Sequence, residues 1–233
     1  MSQKLACVVE QVIAHGERVY TLVLRPERRV PRFRPGQFLH LAVDAYDPTG
    51  FWPESRAFSI ASAPEERDAI RLTYAVHGRF TARLEQAAVA GRQLWIKLPY
   101  GDFVVSGSRE TALLAGGTGV TAFTAFLASL TAASAPVTLA YGARTPELLI
   151  YRDAVDACVR RAPSLRAIYF AEQQATAPVR EGRVSVGAVW ETLADPLHAD
   201  FYLSGPPAML KAIAADLAFR GVTAEAIHID AWE

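Results

Sequence analysis

The chain has 233 residues, 51% of them hydrophobic, with 24 basic and 24 acidic side chains and a formal net charge of zero. This length allows two domains of ordinary size, and the balanced charge argues against a nucleic acid or an anionic membrane surface as partner. The two cysteines, Cys7 and Cys158, form no C-x-x-C pair, which excludes a cysteine-ligated zinc or iron–sulfur centre within the chain.

Two further negative signals narrow the class of protein. The start, MSQKLACVVEQV, lacks the basic segment, apolar run and cleavage site of a signal peptide. Together with the unpaired cysteines, this predicts a reducing, cytoplasmic location. The five histidines show no metal-ligand spacing, so no metal site is expected.

The first hundred residues contain short runs typical of β-strands, separated by Gly, Pro and charged turns. One helix is predicted among them, from about Phe80 to Ala90, with Gly78 before it and Gly91 as its stop. The pattern predicts a six-stranded antiparallel Greek-key barrel over residues 1–105. Its strands are ACVVEQV (6–12), VYTLVL (19–24), FLHLAV (38–43), RAFSI (56–60), IRLTYAV (70–76) and QLWIKL (93–98).

From Glu110 onward strands and helices alternate, which is typical of a parallel sheet covered by helices. ELLIYRDAVDACVRR (147–161) is predicted as a helix. The polar segment at 106–109 separates the two patterns, so the second, α/β domain is expected over 109–233. Its strands are TALLAG (111–116), VTLAY (137–141), LRAIYF (165–170) and DFYLS (200–204).

The stretch from Thr111 to Ala143 contains no charged residue and could be mistaken for a membrane span. Glycines, Pro136 and many hydroxyl side chains interrupt it. We therefore interpret it as a buried strand, a turn, a helix and a second strand, because strands covered on both faces form continuous apolar runs.

Two motifs of the second domain lie where a strand ends and a helix begins. In LLAGGTGVTAF (113–123) the backbone amides of the helix start would face an anion, and glycine would let a pyrophosphate approach closely. The alternative is a purely structural tight turn. In SGPPAML (204–210) consecutive prolines suit a rigid helix start. Strand ends of one parallel sheet converge on a single crevice, where such sheets bind ligands.

A third motif, RAFSIAS (56–62), lies inside the predicted barrel. An arginine beside alternating aromatic and hydroxyl residues could bind a phosphate, cover a ring and hydrogen-bond a ring nitrogen. An edge strand with an exposed arginine is the equally open alternative.

In order and spacing these motifs resemble the ferredoxin reductase family of flavoproteins, and the resemblance covers essentially the whole chain. RAFS resembles that family's Arg-x-aromatic-Ser flavin motif, and GRFT (78–81) resembles its Gly-x-x-Ser/Thr pyrophosphate turn. RPGQF (34–38) is similar to the strand before the flavin site. LPYGDF, AGGTGVTAF, YGARTPELLIY, YLSGPPAM and IHIDAWE follow in the family's order.

The resemblance implies a flavin site in the barrel. Arg56 would pair with the flavin phosphate, Phe58 would lie against the isoalloxazine, and Ser59 would hydrogen-bond its reactive nitrogen. Gly78 and Thr81 would place the helix start against a pyrophosphate, which favours FAD over FMN because only the dinucleotide has one. A plain helix cap is the alternative for Thr81. The whole flavin-binding set is Arg56, Ala57, Phe58, Ser59, Gly78, Arg79, Phe80 and Thr81.

The resemblance also implies a nicotinamide site in the second domain, with NADH or NADPH as donor. Gly116, Gly117, Thr118 and Gly119 would cradle its pyrophosphate, and Gly205, Pro206 and Pro207 would shape the nicotinamide pocket. Ser204 and Asp230 stand where many relatives have Cys and Glu. With Ser59 they are the candidate catalytic residues, although Ser204 lacks the polarizable sulfur and Asp230 could equally belong to an edge strand.

Three further residues bear on the nicotinamide. Trp232 could cover the flavin or simply pack between domains. Arg144 could neutralise a 2′-phosphate, whereas Glu172 stands where NADP-specific relatives tend to have a basic residue. These cues oppose each other, with a slight preference for NADH.

The resemblance implies an NAD(P)H oxidoreductase that reduces bound FAD and passes the electrons to an external acceptor. The acceptor could be a ferredoxin, an oxygenase component or free flavin. Two alternatives stay open, namely a flavin-binding regulatory subunit without turnover and a nucleotide-binding module without flavin.

Overall fold

The computed structural model describes residues 2–230. These residues form two compact units, divided between Val104 and Val105. No helix in this part of the chain is long and apolar enough to cross a membrane.

The first unit is a six-stranded antiparallel barrel, as the sequence predicts. Neighbours in the sheet follow the order β4-β3-β6-β1-β2-β5. The end strands approach each other where the Ala61 amide donates to the Arg71 carbonyl at 2.9 Å, which leaves the barrel nearly closed. The strands are β1 (Gln3–Ala14), β2 (Val19–Pro26), β3 (Phe38–Ala42), β4 (Ser55–Ser59), β5 (Ile70–Ala75) and β6 (Gln93–Tyr100).

The barrel interior is filled by every second residue of its strands. Leu22 and Leu24 on β2 are in register with Leu72 and Ile70 on β5, and all four are fully buried. This alternation is the period-2 pattern that made the strands recognisable in the sequence.

One helix, α1 (Gly78–Ala87), packs against the barrel through Phe80 and Leu84. It begins two residues before the predicted start and ends three residues before the predicted end. Gly91 is therefore not the residue that ends the helix. It lies in a tight turn before β6, where its amide donates to the carbonyl of Val9.

The second unit is a parallel sheet with helices, as predicted, and it has six strands where the sequence analysis named four. Its strand order is β10-β9-β8-β7-β11-β12. The strands are β7 (Thr111–Gly116), β8 (Val137–Ala143), β9 (Leu165–Ala171), β10 (Arg180–Glu181), β11 (Asp200–Ser204) and β12 (Ile227–Asp230). The helices are α2 (Thr121–Ser129), α3 (Arg152–Arg161), α4 (Val186–Trp190) and α5 (Pro207–Phe219).

Both faces of this sheet are covered. Ala112 and Leu114 of β7 belong to a core cluster with residues of α4 and α5 such as Val189 and Leu210. Leu113, between them and on the opposite face, is also fully buried. Burial on both faces explains the continuous apolar run in the sequence.

The single helix predicted over 147–161 is wrong in its first part. A short 3₁₀ turn at Pro146–Leu148 comes first, and α3 begins only at Arg152. Proline favours the first position of a helical turn, and buried Leu149 leaves helical geometry before α3 begins.

Candidate functional site

The RAFS motif forms strand β4 at one end of the barrel sheet. Arg56 and Phe58 lie opposite Leu41 and Leu39 of β3, so the two side chains share one face of the strand. Ser59 follows on the other face and is buried. The arginine and the aromatic ring thus face the same way, whereas the serine hydroxyl does not share their face.

The structure brings the RAFS and GRFT motifs together. The guanidinium carbon of Arg56 lies 5.3 Å from the centre of the Phe80 ring, in the first turn of α1. Arg56 also donates to the carbonyl of Ser55 at 2.9 Å, and its side chain is 56% exposed. An arginine held over a helix N-terminus is well placed to bind an anion.

The GRFT motif forms the first turn of α1. Gly78 has φ of +75°, and a Cβ there would meet nothing within 4 Å, so the backbone is open to an approaching group. The Thr81 hydroxyl accepts from the His77 amide and donates to the His77 carbonyl, both at 2.8 Å. The Thr81 hydroxyl is therefore hydrogen-bonded within the helix start, whereas the N-cap residue His77 makes no side-chain cap hydrogen bond.

A residue that the sequence analysis missed lies beside Phe58. The ring of Tyr74 on β5 is 6.1 Å from that of Phe58, centre to centre, in an edge-on arrangement. The Tyr74 hydroxyl is buried and has no hydrogen-bond partner among residues 2–230. Burial raises the pKa of Tyr74, so the hydroxyl keeps its proton and can act as a donor.

In the second unit the Gly-rich turn follows β7 directly. Gly117 begins a 3₁₀ turn, Gly117–Val120, that leads into α2. A Cβ at Gly119 would lie 2.5 Å from the Ser204 carbonyl oxygen, and one at Gly116 would lie 2.6 Å from the sulfur of Met209. Gly119 is therefore required by packing against the backbone at the end of β11, and Gly116 packs against the side chains of Pro206 and of Met209 in α5.

Gly117 differs from both, because a Cβ there would meet nothing within 4 Å although φ is +54°. In the sequence, Gly116, Gly117, Thr118 and Gly119 are predicted to form one cradle for the pyrophosphate. Of the three glycines, only Gly117 has open space beside it that a ligand could enter. Gly116 and Gly119 serve packing, whereas Gly117 is the candidate for binding.

The turn after β11 carries the next predicted residues. Gly205 packs so closely on the backbone of Gly116 that a Cβ would lie 3.1 Å from it. Pro206 precedes α5 and Pro207 is its first residue, where a missing amide hydrogen costs little. The two ligand-facing strand ends predicted to converge, those of β7 and β11, are adjacent in the sheet.

Ser204 and Asp230 end the paired strands β11 and β12 and lie side by side. The Ser204 hydroxyl donates to Oδ2 of Asp230 at 2.9 Å, and both residues are buried. Asp230 is thus an edge-strand residue and also a partner of Ser204. The hydroxyl hydrogen of Ser204 is therefore donated within the protein, and only the oxygen lone pairs of this hydroxyl are left to accept a hydrogen bond.

The two residues weighed for nicotinamide choice lie on neighbouring loops. The amide of Glu172 donates to the Ala143 carbonyl, and the amide of Gln173 donates to the Arg144 carbonyl at 2.9 Å. Glu172 accepts from Arg183 Nε at 2.9 Å, and Arg183 is 82% exposed. A basic side chain therefore accompanies the acidic one, which weakens the case against a 2′-phosphate. Trp232 lies outside the described residues.

Comparison with known proteins relates both units to oxidoreductases. Residues 113–215 match the family model described as the oxidoreductase NAD-binding domain. The chain is 28% identical over 229 residues to a flavohemoprotein of Deinococcus radiodurans, covering 93% of this chain and 56% of that protein. It is 27% identical over 212 residues to the reductase component 1 of terephthalate 1,2-dioxygenase from Comamonas sp., covering 88% and 61%.

Among solved structures, the FAD/NAD binding domain of nitric oxide dioxygenase from Vibrio cholerae superposes with a TM-score of 0.83, covering 98% of each chain at 20% identity. The ferredoxin reductase of carbazole 1,9a-dioxygenase superposes with a TM-score of 0.78 at 23% identity. The match covers all of this chain and 70% of that chain. These likenesses establish the two-domain fold. The chain spans 56% of the first curated relatives' length.

Proposed function

We propose that the chain is an FAD-dependent NAD(P)H oxidoreductase of the ferredoxin reductase-like family, which is supported by the match of residues 113–215 to the oxidoreductase NAD-binding domain and by its reductase relatives. In this proposal the barrel unit binds FAD and the α/β unit binds NADH or NADPH. The electrons then leave to an external acceptor.

The observation that carries the proposal is the meeting of Arg56 with the first turn of α1 at Phe80. Two motifs that are separate in the sequence meet here, and they combine an exposed arginine with an open glycine backbone at Gly78. The unpartnered hydroxyl of Tyr74 beside Phe58 adds a donor for a polar ring. Charge, open backbone and donor are the features that a flavin with its phosphates requires.

Within the barrel unit each residue has a separate task. Arg56 would neutralise a phosphate, Phe58 would give the flavin ring an apolar surface, and Tyr74 would fix its orientation by a hydrogen bond. Bound FAD would supply the redox chemistry, taking up two electrons from the reduced nicotinamide and releasing them to the acceptor. The protein supplies binding, orientation and exclusion of water.

Within the α/β unit the task is to bind and orient the dinucleotide. The open backbone at Gly117 would admit the pyrophosphate at the start of the helical segment. The buried carboxylate of Asp230 holds the Ser204 hydroxyl in one orientation, with its lone pairs free to accept from a ligand amide. Ser204 and Asp230 therefore act as one positioning pair in this proposal.

The names of relatives guide the choice of acceptor. Two relatives are the reductase components of a propane 2-monooxygenase and a terephthalate 1,2-dioxygenase. An oxygenase component or its ferredoxin is therefore the acceptor we propose first, with free flavin second. Cys7 and Cys158 are buried free thiols, which supports a reducing compartment, the cytoplasm, as the proposed location.

The proposal is tested by identifying the flavin that the purified protein retains. We expect FAD to be released on denaturation. Arg56→Ala should lose it while the chain stays folded, because a charge-assisted contact worth about 1.5–3 kcal/mol is removed. Chromatography of the released flavin, with circular dichroism as the folding control, provides the measurement. Wild-type FAD affinity in a folded Arg56→Ala protein would contradict the assignment.

A further inference from the structure

Arg56 is one of four charged side chains that alternate in sign beside α1. Arg83, on the helix, forms an ion pair with Asp44. Glu54 lies between the two arginines, with Oε1 at 3.6 Å from Arg56 Nη2 and Oε2 at 3.9 Å from Arg83 Nη1. One carboxylate thus directs one oxygen toward each guanidinium.

The two contacts of Glu54 are weak ones. Both distances exceed the range of a hydrogen bond, and the three side chains are about half exposed, so water screens the attraction. Arg83, by contrast, is hydrogen-bonded to Asp44, which fixes its guanidinium in place. A stronger anion can therefore displace Glu54 without displacing Arg83.

We propose that Arg83 is a second arginine of the flavin pyrophosphate site, and that Glu54 is an internal anion displaced when the pyrophosphate binds. The inference rests on the proposed function, in which the barrel unit binds FAD. Two phosphates bridging two guanidinium groups reproduce the arrangement that Glu54 holds with its two oxygens. Arg56 and Arg83 then each meet one phosphate.

The same geometry makes Arg83 a determinant of flavin choice. FMN carries a single phosphate, which Arg56 alone can bind, whereas the second phosphate of FAD needs another cation. Displacement of Glu54 leaves this carboxylate repelled by the bound anion, so Glu54 lowers the affinity for FAD. Arg83 and Glu54 consequently have opposite effects on the same equilibrium.

The test measures dissociation constants of FAD, FMN and riboflavin by fluorescence quenching of the flavin-free protein. Arg83→Gln should weaken FAD about tenfold or more, change FMN far less and leave riboflavin unchanged. Glu54→Gln should tighten FAD about two- to fivefold, because a screened repulsion is removed. Arg25→Gln and Glu10→Gln are matched controls, since they break an exposed ion pair on β2 and β1.

Four outcomes overturn the inference. The first is an FAD affinity in Arg83→Gln that equals the affinity in Arg25→Gln. This result would contradict the role of Arg83 without contradicting the proposed function. An equal loss for all three flavins would show that Arg83 only supports the fold. Weaker FAD binding in Glu54→Gln would show that Glu54 assists binding. Failure of the wild-type protein to bind any flavin would remove the proposed function and the inference together.

Discussion

At the scale of single residues, the Tyr74 hydroxyl is unusual because it is buried beside Phe58 without a partner in the described part of the chain. A buried hydroxyl without a hydrogen bond destabilises a fold by about 1–3 kcal/mol. Such a group is tolerated where a ligand completes the hydrogen bond. Tyr74 therefore connects the packing of the barrel to its proposed cofactor.

This predicts opposite effects of Tyr74→Phe in the two states of the protein. Without flavin, the variant should be as stable as the wild type or more stable by about 1 kcal/mol, because the unsatisfied hydroxyl is gone. The affinity of the variant for FAD should fall about tenfold, because the hydrogen bond to the flavin is lost. Thermal melting of the flavin-free protein and FAD titration measure the two effects. A less stable variant that binds FAD normally would show that the hydroxyl serves the fold.

At the scale of elements, the turns after β7 and β11 explain why neighbouring glycines differ in role. The backbone of Gly119 lies against the Ser204 carbonyl, whereas Gly117 faces open space. Gly119→Ala should therefore destabilise the α/β unit strongly, since the new Cβ overlaps a backbone atom. Gly117→Ala should cost about 1–2 kcal/mol for its positive φ and should weaken NAD(P)H binding.

The melting temperature and the Michaelis constant separate the two variants. We expect Gly119→Ala to show a lower melting temperature, while Gly117→Ala shows a raised Michaelis constant with modest loss of stability. A Gly117→Ala protein with an unchanged Michaelis constant would favour the purely structural interpretation of the Gly-rich turn.

The histidine His15, beside strand β2 of the barrel, predicts that stability depends on pH. His15 Nε2 is 2.8 Å from the Thr21 hydroxyl, which lies 2.7 Å from that of Thr73. Burial lowers the pKa of His15, so the unfolded chain binds a proton more readily than the folded one. The stability that the neutral imidazole contributes is therefore fully present above the unfolded-state pKa of about 6.5, and it decreases as the pH falls below that pKa.

The expected result is a falling melting temperature of the barrel unit between about pH 7 and pH 5. His40 contributes in the same direction, because burial and then Lys97 lower its pKa. In His15→Gln the slope should be smaller than in the wild type. An identical slope in the variant would assign the effect to other groups.

The sequence predicted those elements whose signal is local. Alternating runs located the barrel strands, and the apolar run with its glycines located β7 and α2. The break before Arg152 was missed because a helical pattern does not show where a short turn ends. The two-residue strand Arg180–Glu181 is too short to have a pattern of its own.

Within the candidate site, the sequence supplied the motifs but could not supply their partners. The approach of Glu54 to Arg83 joins residues 29 positions apart, and no local pattern encodes it. Tyr74 has the ordinary appearance of a strand aromatic, and its unpartnered hydroxyl is visible only in three dimensions. The donation by Ser204 to Asp230 likewise depends on the pairing of β11 with β12.

At the scale of the whole molecule, the proposed function assigns one nucleotide to each unit. Variants of Arg56 or Arg83 should then change FAD affinity without changing that for NAD(P)H, and variants of Gly117 should do the reverse. Sites with no shared partners contribute independently to binding. The central claim is that the two nucleotides exchange electrons within this chain.

Anaerobic titration of the FAD-loaded protein with NADH and with NADPH tests that claim most directly, with the visible flavin absorbance as the readout. The account predicts that one equivalent of at least one donor bleaches the flavin, and that an added acceptor restores the colour. A protein that stays yellow with both donors would contradict the account and would favour a flavin-binding subunit without turnover.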